Sequence, residues 1–235
     1  MQAVILAGGK GTRLKPFTTF LPKPLVPVGD VPILEVVLRQ LKHYGFTDAV
    51  LAVNHLAELI MTFFGNGDKL GMHITYSREE QPLGTAGPVA LVDKLDDHFL
   101  VMNGDLLTTV NFKQLYDYHI AQKNDVTICT AKREVKIDLG VLEIKDNAFV
   151  NYNEKPTLSY WVSSGIYILN RDVVKTIPQG KPYDMPTLMM ELHRQGKKIG
   201  CYTEDFYWLD IGRVDDYETA VRIFNEKKDQ FLPNG

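Results

Sequence analysis

At 235 residues, with 45% hydrophobic and 23% charged residues, the chain is long enough for one large domain or two intimate subdomains around an ample core. A formal net charge of −3 leaves no basic excess and argues against a general nucleic-acid binder. Cys129 and Cys201 show no pairing pattern, the start lacks a basic n-region, and no stretch is long enough to span a bilayer, so the expected setting is the reducing cytoplasm, away from membranes.

Residues 2–6 form a short, apolar, β-branched run and read as a buried strand. The chain then turns on Gly8, Gly9 and Gly11, where the backbone can approach a ligand closely. Successive free N–H groups at the end of a strand cradle phosphate, and Arg13, Lys15 and then Lys23 in a stiff Pro-Lys-Pro triplet add positive charge. Helical spacing follows over 32–44, with Leu34, Val37, Leu38 and Leu41 on one face, Pro32 suited to a first turn and Gly45 to the cap. A strand is expected over 49–53, a helix over 56–64, a strand over 73–76, a helix over 85–95 and a strand over 99–102. Strands separated by helices predict βαβ units and a mainly parallel sheet. Beyond Asn111 the pattern loosens into strands over 126–130, 140–143, 150–153 and 161–169, expected to add antiparallel strands to the same core. A helix is expected over 214–224.

The glycine run does not fit a P-loop, and the dinucleotide pattern starting at Gly9 and Gly11 meets Leu14 where the third glycine belongs. The wording GGKGTRLKPFT followed by LPKPLVPV resembles the sugar-phosphate nucleotidylyltransferases. The resemblance runs over residues 1 to about 222. It implies a Rossmann-like, mainly parallel mixed sheet flanked by helices, in one nucleotidyltransferase domain over 1–235, with a nucleotide-binding half (1–110) and a sugar-phosphate-binding half (111–235). No hexapeptide repeat follows residue 222, so the likeness is to a short form without a C-terminal β-helix.

Three later stretches carry chemistry. In EEQPLGTAGPVAL (79–91), a glycine turn leads into a helix start, a setting for close ligands. The resemblance puts this loop against the nucleobase, and its wording is most similar to the guanylyltransferase branch. In LVMNGDL (100–106), Asp105 sits at the C-terminal end of a strand, where ligands gather in open parallel sheets. A carboxylate beside a triphosphate implies Mg²⁺. In Trp208-Leu209-Asp210-Ile211-Gly212, Asp210 stands between bulky apolar residues, an unusual place for a carboxylate without a partner, and a metal would supply one. Helix capping is the competing role, but Asp215 lies nearer that helix start. The resemblance has Asp105 and Asp210 hold one Mg²⁺ together.

The remaining assignments follow from the resemblance. The glycine loop (Gly8, Gly9 and Gly11) and Arg13 hold the nucleotide's β- and γ-phosphates, Lys23 bears on the α-phosphate, and Leu6, Ala7 and Thr12 also bind the nucleotide. Glu80, Pro82, Gly84, Thr85, Asn103 and Gly104 complete the nucleotide site. Asn103, Gly140, Glu154, Lys155 and Gly165 hold the sugar 1-phosphate. Guanine presents two donors on one edge, so an acceptor from Glu79, Glu80 or the backbone of 81–84 suits it; Glu80 is the side chain chosen. The expected partners are GTP and a mannose- or heptose-like 1-phosphate, with UTP, dTTP or CTP as alternatives, and a homo-oligomer is left open. Two rival readings remain: a non-catalytic nucleotide-sugar-binding regulator, disfavoured by the presence of Arg13, Lys23, Asp105 and Asp210, and a nicotinamide-binding oxidoreductase, disfavoured by Leu14. No His-Glu-x-x-His or Gly-x-Ser-x-Gly motif occurs, Ser163-Ser164 reads as hydroxyl packing or a sugar contact, and Met185, Met189 and Met190 read as core filling.

Overall fold

The computed structural model describes residues 1–232. In chain order its elements are β1 (Gln2–Leu6), β2 (Pro27–Val28), β3 (Val31–Pro32), α1 (Ile33–His43), β4 (Asp48–Val53), α2 (Ala57–Phe64), β5 (His73–Arg78), β6 (His98–Asn103) and β7 (Leu106–Thr108). Then come α3 (Phe112–Gln122), β8 (Val126–Lys136), β9 (Val141–Lys145), β10 (Ala148–Asn153), β11 (Thr157–Asn170), α4 (Met185–Arg194), β12 (Ile199–Tyr202), β13 (Trp208–Asp210), α5 (Val214–Glu226) and α6 (Lys228–Phe231).

The centre is a seven-stranded sheet in the order β12-β8-β11-β6-β1-β4-β5. β1 runs parallel to β4 and β6, β4 to β5, and β8 to β12, while β11 runs antiparallel to both β6 and β8. Both faces are covered, so its central strands are continuous apolar runs whose alternate residues enter different cores. Ala3, Ile5, Leu51, Leu100 and Met102 face the layer of α1, α2 and α3. Val4, Val50, Phe99 and Val101 face Ala86, Val89 and the buried side of α4. In α1, Leu34, Val37, Leu38 and Leu41 are fully buried, as their spacing requires.

A third cluster joins distant parts of the chain. Leu14, Val26, Val28 and Ile33 pack against Leu107, Ile211, Ala220, Phe224, Phe231 and Leu232. The segment following the glycine turn thereby rests on α5 and α6.

Several expectations need correction. The helix expected over 85–95 is only a short 3-10 turn, Gly87–Leu91. Pro88 has no N–H to donate, and the N–H groups of Ala86 and Gly87 go to the carbonyl of Tyr183 instead of to their own turn. Pro32 sits just before α1 in extended backbone, not inside its first turn. In the second half, α3 and α4 lie where no helix was expected, and β12 joins the sheet edge in parallel. Met185 and Met189 are core, but Met190 on the outer face of α4 is exposed. β8 and β11 run longer than expected and extend together past the sheet to the pair Lys136 and Thr157. There β9 and β10 form a separate two-stranded ribbon whose residues are all exposed.

Candidate active site

The topology locates the site. From β1 the chain moves outward to β4 and β5, then returns to the other side of β1 as β6. The loops leaving β1 and β6 therefore diverge at their C-terminal ends, opening a crevice at this switch point. A cleft of about 360 Å³ lies there. Of the residues singled out in the sequence, Leu6, Ala7, Gly8, Gly9, Lys23, Pro82, Gly84, Thr85, Asn103 and Asp105 line it.

Among the described residues no acceptor takes the backbone N–H groups of residues 8–13, whereas Leu14 N–H already goes to the Gly11 carbonyl. These free donors suit an anion. Gly8 allows close approach: a Cβ there would come 2.8 Å from Glu79 Oε1 and 3.1 Å from Asn54 Cβ. Thr12 and Arg13 are exposed past the turn. Arg13 reaches toward the other side of the site, since a Cβ added at Gly212 would come 3.9 Å from Arg13 Nη2 and 3.6 Å from Asp210 Oδ2.

Lys23 stands between two carboxylates. Its Nζ contacts Asp105 Oδ2 and lies 4.0 Å from Asp210 Oδ1, with its side chain only 11% exposed. The flanking proline Pro24 and Leu25 are buried and fix this segment. A β-ladder brings the aspartates together: β13 pairs antiparallel with β7, setting Asp210 opposite Leu106, and Ile211 N–H donates to the Asp105 carbonyl at 3.2 Å. The second oxygen of Asp105, Oδ1, is buried without a hydrogen-bond partner. Burial pushes the Asp210 carboxyl above its ordinary range, Asp105 pushes it further, and Lys23 opposes both. An orphaned carboxylate oxygen beside a second, destabilised carboxylate fits a hard divalent cation such as Mg²⁺. Among the described residues there is no group of three or more His, Cys, Asp or Glu that could hold a metal, so a substrate would have to supply the other oxygens.

Against the start of the glycine turn lies Glu79, which the sequence reading passed over for Glu80. Glu79 is buried and lines the cleft, while Glu80 is exposed and does not. Glu79 Oε2 accepts Leu83 N–H at 3.0 Å, and Oε1 faces Gly8. Burial raises its carboxyl above the ordinary glutamate range, and the Leu83 N–H partly offsets this. Alternation along β5 was the available signal: counting by twos from core Ile74 puts residue 79 on the other face, the one carrying Leu83 and Pro88. Asn54, just past the end of β4, also lines the cleft and donates to the Glu79 carbonyl at 3.1 Å.

A second pocket of about 260 Å³ adjoins the first and shares Thr85 and Asn103 with it. Gly165, Ser163, Met185, Pro186, Trp208 and Asp210 also line it. A Cβ at Gly165 would come 2.7 Å from Asn103 Nδ2. Ser164 is buried and donates to the Cys129 carbonyl, a packing role. Besides Gly11, Thr12, Arg13 and Glu80, four further sequence candidates line neither pocket. Gly104 is buried under β1 and spends its N–H on the Leu6 carbonyl. Gly140, Glu154 and Lys155 sit together on the projecting arm around Tyr152, whose hydroxyl donates to Glu154 Oε2 at 2.8 Å, with Lys155 Nζ 3.8 Å from Glu154 Oε1. They line neither pocket. Both cysteines are free, and burial pushes the Cys129 thiol up to about 12, which makes it inert. Among the described residues no helix is long and apolar enough to cross a membrane.

Residues 2–227 match the model of the nucleotidyl transferase family. The chain is 35% identical to a UTP–glucose-1-phosphate uridylyltransferase of Synechocystis, over 94% of this chain and 63% of the relative. It is also 35% identical to a probable mannose-1-phosphate guanylyltransferase of Oryza sativa, over 95% and 64%. The chain thus spans slightly less than two thirds of the length of these curated relatives. Among solved structures, HddC from Yersinia pseudotuberculosis complexed with GMP-PN superposes with a TM-score of 0.73 at 25% identity, covering 95% of this chain and 99% of that one. A putative glucose-1-phosphate thymidylyltransferase from Bacillus anthracis shares the fold with a TM-score of 0.77 at 23% identity, covering 98% of each chain.

Proposed function

Because the chain belongs to the nucleotidyl transferase family, we propose that it joins a nucleoside triphosphate to a sugar 1-phosphate, releasing pyrophosphate. The observation that carries this reading is Lys23 held between Asp105 and Asp210, beside a turn of unpaired N–H groups, where a Cβ at Gly11 would come 3.1 Å from Lys23 Cβ. An oxygen of the sugar 1-phosphate attacks the α-phosphorus; the bond from that phosphorus to the oxygen bridging to the β-phosphorus breaks, and the electron pair leaves with pyrophosphate. No proton need move, so the protein's task is positioning and neutralising charge. The N–H groups of the glycine turn and Arg13 bind the β- and γ-phosphates. Lys23 releases the aspartates and turns its charge to the α-phosphate. Asp105 and Asp210 would hold Mg²⁺, which supplies charge neutralisation on the phosphate oxygens when bound. Asn103, at the junction of the two pockets, orients the sugar phosphate in the pocket that holds Gly165.

For the base, the favoured reading is guanine. Glu79 offers a carboxylate to the guanine N1–H and 2-amino donors, and Pro82 and Leu83 lie beside it for stacking. A guanylyltransferase relative and a neighbour complexed with GMP-PN support this choice. UTP is the second reading, favoured by a uridylyltransferase relative at equal identity. The test is pyrophosphate release from GTP, UTP, dTTP, CTP and ATP at equal concentration, each with mannose, glucose and heptose 1-phosphates and Mg²⁺. A GTP preference is expected. Preference for a pyrimidine nucleotide overturns the guanine reading, and silence across the whole panel overturns the enzymatic one.

A further inference from the structure

We propose that Asp184 is a positioning residue that couples occupancy of the two pockets through Thr85. The inference rests on the proposed reading of the cleft as the nucleotide site and the adjoining pocket as the sugar-phosphate site. Asp184 precedes α4 in extended backbone, at φ −106° and ψ 149°, the place where an aspartate ordinarily accepts an N–H from the helix's own first turn. Its side chain makes no such cap. Oδ1 instead accepts the N–H of Thr85 at 3.0 Å and its hydroxyl at 3.3 Å, across 99 residues of sequence. The Thr85 hydroxyl in turn accepts the N–H of Met185, the first residue of α4, at 2.8 Å. The two residues have exchanged caps: the loop's threonine serves the helix, and the helix's aspartate serves the loop.

The backbone strengthens the joint. Tyr183 donates its N–H to the Leu83 carbonyl at 2.9 Å and accepts from Ala86 and Gly87. The contact is close enough that Gly84, at φ +78°, has no room for a side chain: a Cβ would come 2.6 Å from Asp184 Oδ1 and 2.7 Å from the Tyr183 carbonyl. Thr85 itself lines both pockets, while Met185 lines the second. One hydrogen-bonded pair therefore joins the wall facing the nucleotide to the wall facing the sugar phosphate. A ligand that orders one wall orders the other, so each ligand tightens the other's site by the same factor.

The experiment measures that factor. Isothermal titration gives the affinity for α,β-methylene-GTP in Mg²⁺, with and without saturating mannose 1-phosphate, for the wild type, Asp184→Ala, Asp184→Asn and Thr85→Val. In the wild type the sugar phosphate is expected to tighten the analogue by about 5-fold or more. Asp184→Ala should bring this below about 2-fold and lower kcat by roughly 10- to 100-fold through misplacement of the reacting groups. Asp184→Asn keeps an acceptor for Thr85 and should retain most of the coupling. Thr85→Val loses the bridge to Met185 and should behave like Asp184→Ala, which keeps the test open should either variant fold poorly. A merely structural role would reduce the folded fraction and leave the coupling of the folded molecules unchanged. Coupling in Asp184→Ala equal to wild type, coupling absent from a wild type that turns over, or Asp184→Asn as impaired as Asp184→Ala each overturns the proposal while the enzymatic reading stands. A wild type silent across the nucleotide and sugar panel overturns both. If the panel selects another nucleotide, its own α,β-methylene analogue is the probe.

Discussion

Glu79→Gln is the sharpest test of base selection. Glu79 Oε2 is committed to Leu83 N–H, and Oε1 faces Gly8 in the cleft. In the glutamine the oxygen will keep the Leu83 N–H, because reversing the amide would set a donor against a donor. The NH₂ group then replaces the carboxylate oxygen that faces the base. Against guanine this removes a charge-assisted acceptor and opposes two donors; against uracil it offers a donor to a carbonyl. A hydrogen bond to a charged group contributes roughly 1.5–3 kcal/mol, or about 10- to 100-fold in kcat/KM. The GTP-to-UTP ratio of kcat/KM should fall by at least that much. Glu80→Gln, on the exposed side of the turn, should leave it unchanged. A pH signature accompanies the effect. Burial raises the Glu79 carboxyl, so the fold favours its protonated form, and ionisation costs stability as pH rises through the raised value. Below the ordinary glutamate range, folded and unfolded chains are both protonated and the penalty vanishes. Guanine donors relieve the ionised form, so the rise in Tm on adding GTP should grow with pH in the wild type and lose that dependence in Glu79→Gln. An unchanged GTP-to-UTP ratio in Glu79→Gln would refute the assignment.

Asp105→Asn and Asp210→Asn should each lower kcat by roughly 10²–10³, the scale of one lost electrostatic contact in the transition state, measured by pyrophosphate release in Mg²⁺. Since burial and Asp105 both disfavour the ionised Asp210, Asp210→Asn should also melt higher than wild type at neutral pH without metal. Arg13→Ala, which removes a fork beside Asp210 and Gly212, should cut turnover about 10- to 100-fold, whereas Lys15→Ala should change it less than about 3-fold, because Lys15 is exposed and among the described residues has no partner. Gly8→Ala forces a methyl to 2.8 Å from Glu79 Oε1 and 3.1 Å from Asn54 Cβ, and should raise KM for the nucleotide about 10-fold or more and lower Tm, since the buried Glu79 must shift to admit it.

Much of the fold was legible because its signals are local. The βαβ units of the first half announce themselves by apolar runs and periodic stripes, Asp105 by the end of its strand and Asp210 by the bulky apolar residues around it. α4 was equally readable, since Met185, Leu188, Met189 and Leu192 follow helical spacing. Read only as core filling, Met185, Met189 and Met190 give no helix. The 85–95 segment was misjudged because its donors are claimed by Tyr183, a partner nearly a hundred residues away that no local window contains. Glu79 and Glu80 follow β5 directly, and the alternation that carries Ile74 into the core separates them, a signal the sequence holds but one read past the end of a strand whose limits the sequence leaves vague. Gly140, Glu154 and Lys155 were placed by resemblance alone, and the arm that bears them stands apart from both pockets.

The third hydrophobic cluster has a consequence for the order in which the molecule can be made. The glycine turn leaves the ribosome well before α5 and α6, and the cluster of Leu14, Val26 and Val28 is complete only once Ile211, Phe224 and Phe231 have followed. At ordinary elongation speeds of about 5–20 residues per second, that gap lasts roughly 10–40 s. During it the nascent chain exposes the apolar underside of its glycine turn and lacks Asp210 altogether. Closure of α5 onto that underside and delivery of the second aspartate through β13 are thus a single late event. On the proposed reading of the cleft, a nascent chain cannot hold nucleotide productively before β13 has arrived.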